Sequence, residues 1–203
     1  MTSLLSRSVA TFAMRFTYLP ILLVVAACGL LAAPDAALPI DELTVQPRDR
    51  LGTLAAAPTG PHIEVLSGRV LGERLTVAVQ RDASGVCMAV FRGSHGSEGC
   101  GPPPGGDGAF GAHFGMVLTG RALDAPASEP FEFAGMVVPD VSSVVVELDD
   151  GRTATAQLVS LDAALVDGKV FIVHLPGDAV PGDLVARSAD GSELERLVTD
   201  TSQ

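Results

Sequence analysis

Cys87 and Cys100 stand thirteen positions apart in a stretch that also carries Ser94, His95, Ser97, Glu98, Asp107 and His113. These are the side chains from which a nucleophile, a general base or a metal centre is built. Two thiols and two imidazoles suit zinc, and a metal reading takes Cys87, His95, Cys100 and His113 as ligands. Their spacings of eight, five and thirteen match no common zinc pattern. In an oxidising compartment the two thiols form a disulfide instead, which restricts the unfolded chain by about 3 kcal/mol for a loop of this length. A hydrolase reading takes the serines and histidines of Ser94 to His113. There His95-Gly96-Ser97-Glu98-Gly99 lacks the first glycine of Gly-x-Ser-x-Gly, and no strand-to-helix turn frames it. Gly101 to Gly108 is glycine-rich but has no Gly-Lys-Ser/Thr ending, and Pro102, Pro103 and Pro104 remove the backbone donors that a phosphate cradle needs. No catalytic residue and no cofactor is assigned. The excursion Gly93 to Gly115 is expected to be a solvated or partner-facing loop pinned at one end by the disulfide.

Outside that stretch the candidates thin out. His174 falls in an apolar run and is expected to be a hydrogen-bonded or edge-exposed strand histidine, and His62 is expected at the end of a tether. Asp178, Asp183 and Asp190 lie near turns without the Asp-x-Asp-x-Asp-Gly spacing of a calcium loop, and are read as solvated turn aspartates.

Cys28 belongs to different chemistry. Arg7 and Arg15 precede an apolar run of 18 residues from Phe16 to Ala33, and every Asp and Glu lies at or beyond Asp35. Basic residues before an apolar run mark an export signal with the basic end left inside. Val25-Ala26-Ala27-Cys28-Gly29 resembles a bacterial lipobox, which implies cleavage before Cys28 and a lipid on its sulfur. Met14 as an alternative start to Met1 gives a compact leader of this kind. Leu30 to Ala33 continue the apolar run past the cysteine to the lower limit of a membrane span, so an uncleaved single-pass anchor is the second ending. Either way the remainder is expected outside the cell membrane. Residues 34–61 have scattered Pro, Ala and charge without an apolar period, and are expected to be a flexible tether.

Composition limits the partners. Without Arg7 and Arg15 the chain keeps 11 basic against 24 acidic residues, a net −13, which excludes nucleic acid by simple repulsion. There is no Trp, and Tyr18, the single Tyr, sits in the leader, so the exported part lacks the flat amphipathic aromatics that stack on sugars or bases.

The elements that must position all these residues are short strands. Leu75, Val77 and Val79 alternate with Thr76, Ala78 and Gln80, and a loop of hairpin length leads to the partner run Val86 to Arg92. Val144, Val146 and Leu148 alternate with Val145 and Glu147, Asp150-Gly151 suggests a type I′ turn, and Arg152 to Leu158 is expected to return as one strand. Asp167-Gly168 and Asp190-Gly191 punctuate further runs, and Ser160 to Val166 has room for one or two helical turns. The spacing predicts an all-β, antiparallel β-sandwich of two sheets, immunoglobulin-like or related, over residues 62–203, with a subdivision near 125–131.

Gly135-Met136-Val137-Val138-Pro139-Asp140-Val141-Ser142-Ser143-Val144, then Asp150 to Thr153, Gly168 to Pro176 and Asp190-Gly191, resemble a pattern of exported, lipoprotein-type β-domain proteins of high-GC Gram-positive bacteria. The resemblance covers roughly the last 70 residues and implies a β-sandwich module with no functional residue to carry over. The expected function is therefore a membrane-tethered extracytoplasmic binding or scaffolding module, meeting an envelope protein, peptidoglycan or a small ligand. An envelope hydrolase or metal enzyme using Ser94 to His113 is the alternative. A regulator signalling inward would need a cytoplasmic output domain, and about 15 residues before the apolar run are too few.

Overall fold

The computed structural model describes residues 34–46, 62–81, 85–106, 111–120 and 128–198. Cys28 and the apolar run before Pro34, as well as 47–61 of the expected tether, lie outside the described residues. Among the described residues thirteen strands form three antiparallel sheets, so the sandwich expected from the strand spacing is present, with three layers in place of two. The first sheet has the order β1 (Asp41–Val45), β2 (Ile63–Val70), β3 (Glu73–Arg81), β4 (Val86–Arg92) and β5 (His95–Gly101). The middle sheet runs β10 (Gln157–Ser160), β11 (Lys169–Leu175), β7 (Phe131–Val137), β6 (Phe114–Gly120). The third runs β13 (Glu193–Leu197), β12 (Pro181–Arg187), β8 (Ser143–Leu148), β9 (Thr153–Thr155).

Two cores follow from this layering. Leu75, Val77 and Val79 of β3 meet Ala134, Met136, Val170 and Ile172 from one face of the middle sheet. Phe133, Phe171, Val173 and Leu175 from its other face meet Val144, Val146, Leu184 and Ala186 of the third sheet. Phe114 and Phe171 meet edge to face there, with centroids 6.0 Å apart. A strand buried on both faces cannot alternate, which is why β11 reads as the near-continuous run Lys-Val-Phe-Ile-Val-His-Leu. β6 and β7, on either side of the expected subdivision, pair with each other, and the described residues fall in one compact unit.

The run Arg152 to Leu158 is not one strand. Thr153–Thr155 pair with β8 in the third sheet, and Gln157–Ser160 pair with β11 in the middle sheet. Ala156 marks the crossing, its amide donating to Val144 O at 2.9 Å. The Asp150-Gly151 turn also differs from type I′. Gly151 has φ +82° but Asp150 does not have a positive φ, and Gly151 N donates to Leu148 O while Leu148 N donates to Arg152 O. This is a type I turn closed by a glycine bulge. The Asp150 carboxylate holds it by accepting Arg152 N at 2.9 Å, and Ser188 to Ser192 repeat the device around Asp190 and Gly191. Between Asp162 and Val166 there is a single turn, with Ala164 N donating to the Asp162 side chain.

The first part of the expected tether belongs to the body. Asp35 accepts Ala37 N and Thr155 N, Ala36 N donates to Thr153 O, and Leu38 N donates to His174 O at 2.8 Å. Since β10 pairs with β11 only as far as Ile172, Leu38 takes over the bare edge beyond it. Residues 34–40 thus form a strap along β9 and β11 that leads into β1, which pairs with β2.

A polar cleft at one end of the inner sandwich

Alternation on β4 turns Val86, Met88 and Val90 toward the first core, and the same phase carries Arg92 inward. On β7 the phase of Ala134 and Met136 carries Glu132 inward, and on β11 that of Val170 and Ile172 carries His174. Three ionisable side chains therefore occupy core-facing positions at the same end of the inner sandwich, the one formed by the first and middle sheets. His174 and Glu132 are direct cross-strand partners, with Nε2 and Oε2 2.9 Å apart. His174 is 0% exposed, and its Nδ1 has no hydrogen-bond partner among the described residues. A neutral His174 that donates from Nε2 leaves Nδ1 as a bare acceptor.

Arg92, whose side chain is 11% exposed, pairs through Nη1 with Glu73 and through Nη2 with Glu129 at 2.7 Å. The Arg92 hydrogen bond holds the Glu129 carboxyl below its ordinary range, with a further contribution from the Arg92 charge. Ser97 of β5 donates to Glu132 Oε1 at 3.4 Å. Arg92, Ser97 and Glu132, together with His95, Thr119 and Pro130, line a shallow cleft of about 80 Å³ between β4 and β5 on one side and β6 and β7 on the other. It has room for the tip of a ligand. The order Ser97, Glu132, His174 places a carboxylate next to the hydroxyl, whereas an activated serine needs the imidazole next to it.

Of the sequence candidates, His95 and Ser97 line this cleft, and the others lie elsewhere. Cys87 and Cys100 face each other across β4 and β5 and are joined as a disulfide, with sulfurs 2.04 Å apart. His95 pairs with Arg92 at the other end of that hairpin, five residues or about 17 Å along the strand from Cys100. His113 lies by Glu195 of the third sheet, Nδ1 to Oε2 3.6 Å. The four residues of the metal reading are not gathered, and among the described residues no three metal-ligating side chains converge. Ser94 sits in the turn after Gly93, and Glu98 faces His62 Nε2 at 3.3 Å on the outer side of the first sheet. Asp107 lies outside the described residues. Asp183 pairs with Arg196, and Asp190 caps its own turn, so neither joins Asp178.

Much of the expected loop is a strand. His95 to Gly101 pair with β4 through their whole length despite low strand propensity. The glycines permit close packing: a Cβ at Gly96 would lie 2.5 Å from the Phe91 ring and one at Gly99 2.5 Å from Leu118. Further along, Glu195 accepts three successive amides, Ala112, His113 and Phe114, at 3.1, 2.7 and 3.3 Å. That clamp ties the start of β6 to the third sheet.

Arg92 and Glu132 escaped the reading by motif because they belong to none. Their signal is phase: each breaks an apolar face at a position where period-two alternation demands a core residue. No protein-family model, no curated protein and no solved structure matches the chain.

Proposed function

We propose that the protein is a membrane-tethered extracytoplasmic binding module of a bacterial envelope, and that the Arg92–Glu132 cleft is its point of recognition. The observation that carries the proposal is the inward placement of Arg92, Glu132 and His174. Packing alone would be served better by apolar residues there, since buried polar groups cost several kcal/mol unless fully paired. Arg92 is already paired with Glu73 and Glu129, which leaves the Glu132 carboxylate as the lining charge a ligand can meet, and it favours one that presents ammonium or N–H donors. The Cys87–Cys100 disulfide is in keeping with export.

The tether is tested by intact mass of the membrane-extracted chain. A diacylglyceryl adduct on a chain starting at Cys28 supports lipidation, an unprocessed N-terminus supports the anchor, and a chain with neither refutes the tether. The cleft is tested by amide spectra of the full-length protein in micelles, titrated with ethylammonium and separately with acetate. The amides of Ser97, Gly120 and Glu132 should shift with the amine alone, and Glu132→Gln should abolish the response. Equal shifts with both ions would refute the reading.

A further inference from the structure

We infer that the edge of the body formed by β9 and β10 faces the membrane and meets the headgroup layer of the bilayer, while the Arg92–Glu132 cleft points away from it. The inference rests on the tethered reading above. From Asp35 onward the chain is fixed to the body through Thr153, Thr155 and His174. Cys28 precedes Asp35 by seven residues, a reach of at most about 25 Å when fully extended. An uncleaved anchor reaching to Ala33 leaves still less, so both endings of the leader impose the same constraint. A compact unit of this length is about 40 Å across. β10 and β6 lie three strand spacings, about 14 Å, apart. Turning the cleft edge to the bilayer would therefore draw the leash out along the body, whereas the anchored edge meets the bilayer with the leash slack.

The side chains of the same edge suit that contact. From Thr153 to Leu161 there is no carboxylate, and the exposed residues are Thr153, Thr155, Gln157 and Ser160, with the Asp35 carboxylate on Thr155 N adding one negative charge. The outer face of the third sheet carries Glu147, Asp183 and Glu193 paired with Arg187 and Arg196, and that of the first carries Glu64 paired with Arg74, and Glu98. An edge of hydroxyl and amide side chains with the single charge of Asp35 meets little repulsion from anionic headgroups within a Debye length of about 8 Å. The cleft lies at the opposite edge of the inner sandwich. Its walls are β4 and β5 of the first sheet and β6 and β7 of the middle sheet, whereas β10 is the far strand of the middle sheet.

The test uses the full-length, membrane-attached protein with its disulfide intact, in vesicles containing phosphatidylglycerol and a headgroup-nitroxide lipid. Gln157→Cys and, as an independent second site, Ser160→Cys carry a fluorophore on the anchored edge, and Thr119→Cys carries it beside the cleft. Gln157 lies three strand spacings, about 14 Å, from Leu118, the neighbour of Thr119, so quenching should be clearly stronger at Gln157 and Ser160 than at Thr119. Asp35→Ala, which frees the start of the strap, should narrow that difference. Equal quenching at the two edges, or stronger quenching at Thr119, overturns the orientation. Mass analysis of the same samples separates the two failures, because a chain held by neither Cys28 nor its leader refutes the tether and the orientation together.

Discussion

Replacing Glu132 with alanine removes the acceptor 2.9 Å from His174 Nε2. His174 is fully buried in the parent, and the truncation leaves Nε2 without its protein partner beside an Nδ1 that already has none among the described residues. Glu132 itself is 16% exposed, and the penalty sits mainly on the histidine. A hydrogen bond to a charged group is worth about 1.5–3 kcal/mol, and an orphaned buried donor costs about 1–3 kcal/mol. The two overlap, giving a loss of about 3 kcal/mol, or ~6–12 °C in Tm for a body of this size. Replacing both residues, Glu132→Met with His174→Leu, removes the orphan and should return stability to within about 1 kcal/mol of the parent. Urea unfolding of the four members of the cycle, with the disulfide intact, measures this. A Glu132→Ala cost below about 1 kcal/mol, or a double variant as unstable as the single, would refute the pair as a buried, mutually dependent unit.

Four further outcomes are expected. Reducing the Cys87–Cys100 bond should cost about 3 kcal/mol, read as a lower urea midpoint with an unchanged native spectrum. Phe171→Ala opens a void opposite Phe114 in the second core and should cost about 3–5 kcal/mol by the same assay. Gly111→Ala places a methyl against the Glu195 carboxylate, so hydrogen exchange should accelerate at Ala112, His113 and Phe114 while β2 and β3 remain protected. Finally, hydrogen bonds from Ser188 first, then from Ser192, bring the Asp190 carboxyl down to about 2. A depressed carboxyl contributes stability above its unfolded value and loses it as pH falls through the folded one. The Tm difference between the parent and Asp190→Asn should therefore be full above about pH 4 and vanish near pH 2. A difference that persists at pH 2 would exclude titration of Asp190 as its source.

What the sequence made legible was the local pattern. Leu75, Val77 and Val79 announced a half-buried strand, and all three are core residues. Asp150-Gly151 announced a tight turn, though the Asp150 side chain bonds Arg152 and keeps its own φ negative, so the turn closes with a bulge. Strands with weak intrinsic preference were harder to find. His95 to Gly101 is a strand because β4 supplies a partner and its glycines let neighbouring side chains close in, both facts of tertiary packing. The strap was hidden for the same reason, since Asp35 and Leu38 find their partners at Thr155 and His174, more than a hundred residues away. Of the cleft, His95 and Ser97 were singled out by residue type, and His174 behind Glu132 as a strand histidine, but Arg92 and Glu132 required knowing which face of each strand is the inner one.

The middle sheet has a consequence for how this protein meets anything else. Both of its faces are spent on cohesion, so its most hydrophobic stretches, β7 and β11, can never touch a partner while the body is folded. Recognition is left to rims, turns and the two outer faces, which the sequence writes in glycine, proline and charge. Mutational tolerance and exposure should therefore separate cleanly along the chain: silence toward partners where the residues are most apolar, and contact where the sequence looks least ordered.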